Sequence, residues 1–146
     1  GYSNSDFSTL NNIIYGHHMK DGKMFTDITK FKKEDFFKEH RMIYIYTPNK
    51  TYRLKTIAAL YTDSAPERRQ TYFDDMDYFH NYVDRMTEKC TFREIPETGV
   101  NKIWSFITCS YEGDDTRTVL YAYELDDNDV PAQYDLSTID FGEDHR

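Results

Sequence analysis

The chain has 146 residues, 38% of them hydrophobic, 30% charged and 16% aromatic, with 13 Tyr, 10 Phe and one Trp. That length suits one domain, and the aromatic share argues against disorder. No stretch approaches the roughly 20 consecutive apolar residues of a membrane helix, and the composition excludes collagen, a coiled coil or a disulfide-dense miniprotein. The start, GYSNSDFSTLNN, lacks the basic-then-apolar pattern of a signal peptide. The net charge of −8 is uneven. Residues 126–146 hold seven acids (Asp126, Asp127, Asp129, Asp135, Asp140, Glu143, Asp144) and one base, Arg146, which leaves −2 for residues 1–125. With no basic stripe along the chain, a nucleic-acid partner is not expected.

In chain order, Asn11–Tyr15 reads as a short buried strand ended by Gly16. His17-His18-Met19 leads into the turn Lys20-Asp21-Gly22. Between Met24 and His40, the spacing of Phe25, Ile28, Phe31, Phe36 and Phe37 predicts one or two short helices. Arg41–Tyr46, the turn Thr47-Pro48-Asn49-Lys50 and Tyr52–Tyr61 form a predicted hairpin. Ser64-Ala65-Pro66-Glu67 has the pattern of a helix start. The apolar set Tyr72, Phe73, Met76, Phe79, Tyr82, Val83 and Met86 then predicts a helix reaching about Glu88. After a loop with Pro96 and Gly99, Lys102–Cys109 and Thr116–Leu125 are predicted strands around the turn Glu112-Gly113-Asp114-Asp115. The tail 126–146 has weak periodicity and reads as loosely attached. The order implies a mainly antiparallel β domain with helical insertions. Five strands are visible, fewer than the eight or so of a simple closed barrel.

Three residues occupy positions where chemistry is easy. His17 follows a strand and a glycine, Cys109 ends a strand, and Arg117 lies near the start of the next. If the two strands pair, Cys109 and Arg117 fall near one end of the sheet. A nearby His or Arg favours a thiolate, a His can protonate a leaving amine, and an Arg can donate to the oxyanion of a tetrahedral intermediate. Together they suffice for acyl transfer at an amide. The competing reading is bland: a free Cys at a strand end is commonly a small buried hydrophobe. Cys90 and Cys109 are also compatible with one bridge, which spacing alone does not decide.

The local strings add to this. Asn12-Ile13-Ile14-Tyr15-Gly16-His17-His18-Met19 followed by Asp21-Gly22-Lys23-Met24-Phe25 resembles the histidine motif of class B sortases. Phe106-Ile107-Thr108-Cys109-Ser110-Tyr111-Glu112 resembles their cysteine motif, and Arg117 stands at the spacing of the family arginine. The predicted helix 66–88 corresponds to the insertion that separates class B from other sortases. The resemblance covers residues 4 to about 125.

It implies a sortase-type β-barrel, closed and eight-stranded in the family, with a long helix inserted before the Cys strand and with N-terminal strands missing here, since 16 residues precede His17. The expected domain is 1–125, followed by the acidic tail 126–146. The implied activity is that of a cysteine transpeptidase on surface proteins of Gram-positive bacteria. Cys109 attacks the carbonyl after the Thr of an Asn-Pro-X-Thr-type sorting signal, His17 protonates the departing amine, and Arg117 holds the carbonyl and oxyanion. An amine from a peptidoglycan precursor or a pilin then resolves the thioester. Substrate contacts are expected at Ile107, Thr108, Tyr111 and Glu112. Many class B enzymes carry Ser where this chain has Ile107, so a hydroxyl is lacking there. His18 is expected to be structural. The resemblance implies no metal or other cofactor, and places the work at the extracellular face of the membrane, with an anchor outside this chain.

The remaining candidates read as structural: Cys90 matches no motif, and His40 and His80 fit a surface. Asp74, Asp75 and Asp77 fit a solvated helix face, and Asp126, Asp127 and Asp129 lack the Gly and Glu of a calcium loop. A non-catalytic peptide-binding module of the same fold is the alternative function. A Cys-His hydrolase is a third, distinguished by whether an added amine changes the product.

Overall fold

The computed structural model describes residues 7–15, 38–63, 66–90, 92–109 and 116–143, apart from the side chains of Tyr61, Asp63, Pro66, Thr108, Cys109 and Thr116. The helices expected before His40, the turns at 20–22 and 112–115 and the Ser64 cap lie largely or wholly outside the described residues. The described strands are β1 (Asn11–Tyr15), β2 (Met42–Tyr46), β3 (Thr51–Asp63), β4 (Phe92–Arg93), β5 (Ile103–Cys109) and β6 (Thr116–Glu124). They form one sheet in the order β1-β5-β6-β3-β2, with β4 beside β3, curled into a half-barrel.

Both predicted hairpins form. β2 and β3 pair antiparallel from Met42↔Lys55 to Tyr46↔Thr51. Their turn is closed by Thr47, whose N–H donates to the Lys50 carbonyl at 2.9 Å. β5 and β6 pair antiparallel from Trp104↔Ala122 to Cys109↔Arg117. β1 joins β5 in parallel, Asn11↔Ile103 through Tyr15↔Ile107. β4, which is too short to leave a periodic signal, is held by Ala58↔Arg93 and Ala59↔Phe92.

Alternation along the strands sorts the core into two layers, as the twofold side-chain period requires. Ile103, Ile107, Val119, Tyr121 and Tyr123 pack on one face with Ile13 and Phe73. Trp104, Phe106, Leu120 and Ala122 pack on the other with Ile43, Leu54 and Phe92. Both faces are therefore apolar.

The cover of the first face is α1 (Met76–Thr87), which buries Phe79, Tyr82, Val83 and Met86. Each such side chain contributes roughly 1.5–3 kcal/mol of transfer free energy. The ring of Phe73 meets Phe79 and Tyr82 edge-on at 5.1 and 5.0 Å between centroids. The single helix expected from about 66 to 88 is instead a 3₁₀ turn, Pro66–Arg69, an extended stretch, and then α1. Two causes are visible. Asp75 caps α1, its carboxylate accepting the Tyr78 N–H at 2.8 Å. Upstream, the carbonyls of Glu67 and Gln70 accept from the Tyr82 hydroxyl (2.7 Å) and the Asn11 amide (2.9 Å). The Glu67 carbonyl also accepts the Gln70 N–H at 3.2 Å, the i to i+3 bond of a 3₁₀ turn, so neither carbonyl joins an α-helical ladder.

Residues 126–143 of the tail are not loose. Leu125 bridges Pro131, and Thr9 bridges Asp140 in parallel. Ile139 is buried with the α1-side core, and the Phe73 N–H donates to the Phe141 carbonyl at 2.9 Å. At the base of the sheet, the Tyr134 hydroxyl donates to the buried Glu124 carboxylate at 2.8 Å. Lys50 donates to the other oxygen of that carboxylate at 2.7 Å. The Lys102 ammonium lies 4.2 Å from the Tyr134 ring centroid and donates to the Phe7 carbonyl at 2.9 Å. Burial, and then the adjacent Glu124 charge, raise the Tyr134 pKa, so its phenol stays a donor. The weak periodicity of 126–143 thus reflects irregular backbone, not an absence of packing.

Gly142 has φ +83°, and a Cβ there would stand 2.6 Å from the Thr71 carbonyl oxygen, whereas Gly99, at φ +76°, has open space. Gly99→Ala is expected to cost about 1 kcal/mol from left-handed strain alone. Gly142→Ala is expected to cost clearly more, on the order of 2–3 kcal/mol. Urea unfolding of the two variants beside the parent measures the difference.

Candidate active site

The chain direction gathers four strand ends at one edge of the sheet. β1, β3 and β5 run the same way, so Tyr15, Asp63 and Cys109 end together, and β6 begins there at Thr116. Cys109 is the register partner of Arg117, and Arg117 pairs in turn with Thr62 of β3. Directly opposed residues of an antiparallel pair have Cα atoms about 4.5–5.5 Å apart. The backbone of Cys109 and the half-buried Arg117 are thus neighbours by construction of the hairpin. Thr108 pairs with Thr118, whose hydroxyl is buried and has no hydrogen-bond partner among the described residues.

The other expected residues divide as follows. His17 and His18 lie outside the described residues, as do Tyr111 and Glu112. In the chain, His17 follows the last residue of β1 by two positions, as Cys109 follows Ile107, the partner of Tyr15. Ile107 is 6% exposed and packs in the α1-side core. The candidates kept as structural also have definite surroundings. His40 is exposed. His80 is half-buried, its Nε2 3.0 Å from the Asn101 side-chain oxygen. Asp74 accepts from the Tyr72 hydroxyl at 2.5 Å. No group of three or more His, Cys, Asp or Glu residues among those described could hold a metal.

Sequence reasoning missed the buried polar network behind this edge. Asn11 and Ser105 are both fully buried, and the Ser105 hydroxyl donates to the Asn11 side-chain oxygen at 2.6 Å. The Asn11 amide donates to the Gln70 carbonyl at 2.9 Å and also faces the Arg68 carbonyl at 3.3 Å. Arg68 donates to the Tyr121 hydroxyl at 2.7 Å and to the Met86 carbonyl at 2.8 Å. This ties β1, β5, β6, the 66–70 stretch and α1 together in the core. An Asn opening an apolar strand was the one available hint. Arg68 gave none, because nothing in its neighbourhood along the chain marks it as buried.

The network also sets the second thiol apart. Cys90 sits beyond the end of α1 with its sulfur 3.6 Å from the Met86 carbonyl. Burial pushes its pKa up to about 11, opposed by the nearby Arg68 and Arg93 charges. Tyr121 is likewise pushed up to about 12 by burial, which Arg68 opposes. Both groups are neutral near pH 8, so Cys90 is a poor nucleophile.

No family model matches the chain. Curated relatives do. It is 28% identical to sortase B of Listeria monocytogenes over 111 residues, which is 75% of this chain and 45% of that protein. It is 25% identical to sortase B of Staphylococcus aureus over 100 residues, 68% of this chain and 41% of that protein. The chain thus spans under half the length of these two relatives. Among solved structures, sortase B from the type II pilus of Streptococcus pneumoniae superposes with a TM-score of 0.73 at 26% identity. That match covers 84% of this chain and 71% of the other.

The shifted thiol gives a direct check. At pH 8, iodoacetamide is expected to label Cys90 of the folded chain roughly a hundredfold more slowly than an ordinary cysteine, because its thiolate fraction is that much smaller. Labelling should accelerate as pH rises toward 11. Peptide mapping of the time course measures it, and fast labelling at pH 8 would contradict the burial.

Proposed function

We propose that this chain, which belongs to the class B sortase family, is a cysteine transpeptidase acting on a sorting-signal peptide. The observation that carries the reading is the Cys109↔Arg117 pair at the edge where β1, β3 and β5 end. An arginine opposite the nucleophile supplies a charge that favours the thiolate and donors for a developing oxyanion.

In this reading the Cys109 sulfur attacks the carbonyl carbon after the Thr of an Asn-Pro-X-Thr-type signal. The carbonyl π electrons move to oxygen, where the Arg117 guanidinium stabilises the negative charge. Collapse breaks the C–N bond, and the departing amine takes a proton from His17, leaving a thioester on Cys109. A second amine, from a peptidoglycan precursor or a pilin, attacks the thioester. It loses a proton to His17, forms the new amide and expels the Cys109 thiolate, which restores the starting thiolate and protonated His17. Thr108, Tyr111 and Glu112 flank the nucleophile in the chain and are proposed to contact the peptide. Ile107, buried one strand position away from Thr108, is proposed to bound the peptide site from below. Residues 1–125 carry this chemistry, and 126–146 form an acidic tail. The acyl donors are secreted surface proteins, and the reaction belongs at the extracellular face of the cell membrane. No helix among the described residues is long and apolar enough to cross a membrane.

Incubation with an Asn-Pro-X-Thr-type peptide followed by intact mass spectrometry tests this. The expected result is an adduct with the mass of the peptide's acyl part, lost on adding an amine and absent from Cys109→Ala. An adduct that persists in Cys109→Ala, or peptide binding with no adduct in the parent, would replace the transpeptidase with a different activity.

A further inference from the structure

Alternation alone leaves the position of β1 underdetermined. Slipping β1 by one residue against β5 exchanges its two faces and is excluded by the two-layer core. A slip of two residues preserves the faces, and shifts the strand by about 6.6 Å. β1 stands at one end of the strand order and pairs with β5 over five residues. Its pairing is parallel, the slightly weaker kind per residue.

We infer that Asn11 is a positioning residue whose buried amide selects a single register of β1 on β5, and thereby sets where the chain departs toward His17 relative to the end of β5 at Cys109. This rests on the transpeptidase reading above. The amide is fully buried. Its oxygen accepts from Ser105 at 2.6 Å, and its nitrogen donates to the Gln70 carbonyl at 2.9 Å. The two carbonyls facing the nitrogen, those of Gln70 and Arg68, leave one orientation of the amide possible. Ser105 belongs to β5, whereas Gln70 belongs to the crossover leading to α1. A slip in either direction takes Asn11 away from both at once and leaves a carboxamide unsatisfied among apolar side chains. Ile13, which shares its face, offers no such discrimination because any apolar slot accepts it. Asn11 thus specifies position where the hydrophobic pattern specifies only parity. The fixed anchor on the crossover means that β1 is held against two elements, one of which carries Cys109.

The test uses the full chain and compares Asn11→Ala with Val83→Ala, a destabilising change in the same α1-side core that removes no side-chain hydrogen bond. Both are assayed for Cys109 acylation well below their melting temperatures. Asn11→Ala should lower kcat by at least about a hundredfold with a much smaller change in KM, because a misplacement of about an ångström already costs that much and a slipped register moves the strand by about 6.6 Å. Val83→Ala should stay close to the parent. Asn11→Ala combined with Ser105→Ala should cost little more than Asn11→Ala alone, because the two side chains share one interaction. Backbone proton contacts between β1 and β5, read by NMR, should show the Ile13–Ser105 pairing of the parent lost or shared with a second register in Asn11→Ala. Equal kcat in Asn11→Ala and Val83→Ala, or an unchanged register in Asn11→Ala, would overturn the inference. A parent that forms no thioester overturns the transpeptidase reading, and the NMR register then judges the part played by Asn11 on its own.

Discussion

A buried carboxamide needs partners for an oxygen and for two N–H groups, and Asn11 finds them on β5, on the crossover and, at 3.5 Å, at the Tyr82 hydroxyl of α1. Ser105 supplies a donor from β5, and the carbonyls of Arg68 and Gln70 supply acceptors from the crossover. Leaving such a group unsatisfied costs about 1–3 kcal/mol, a sizeable fraction of a small domain's stability. The same demand explains the crossover's shape. Carbonyls committed to Asn11 and Tyr82 sit where a continuous helix would have needed them, so the regular helix waits for the Asp75 cap. Arg68 extends the network to Tyr121 and Met86. The placement of β1, the start of α1 and the packing of β6 are therefore one linked arrangement.

The two ends of the sheet have different characters. At the base, Lys50, Glu124, Tyr134 and Lys102 form a chain of charge-assisted contacts joining the β2–β3 turn, the end of β6, the tail and the start of β5. Glu124 is buried, so its charge depends on Lys50 and Tyr134 for compensation. The opposite edge collects strand ends and carries Cys109 and Arg117. A sheet clamped at its base and covered by α1 on one face is a rigid support for chemistry at the other edge, the arrangement that precise positioning requires.

The two cysteines illustrate how surroundings divide one residue type into two behaviours. Cys90 lies beyond a helix end, half-buried, with burial outweighing two nearby arginines, and its thiol is held protonated. Cys109 ends a strand with an arginine as its cross-strand partner. The likeness to sortase B of Listeria monocytogenes and of Streptococcus pneumoniae covers three quarters or more of this chain.

Much of the fold was legible from residue order. Asn11–Tyr15, both hairpins and the apolar stripe Phe79–Tyr82–Val83–Met86 announce themselves by periods of two and 3.6, because each records which side of an element faces a core. The motifs around His17 and Cys109 were equally readable as strings, and the hairpin made Cys109 and Arg117 neighbours through local pairing alone. Three features depended on tertiary structure. The helix began ten residues later than the Ser64-Ala65-Pro66-Glu67 start pattern suggested, since backbone carbonyls at 67 and 70 were claimed by side chains distant in sequence. The tail proved to be packed, because a few anchors such as Ile139 and Tyr134 hold irregular backbone without any period. The register of β1 depends on a polar residue finding partners 59 and 94 positions away. Periodicity is a local record of burial, so it determined the elements and their faces. Hydrogen-bond satisfaction in the core is a non-local condition, and it decided where those elements start, stop and align.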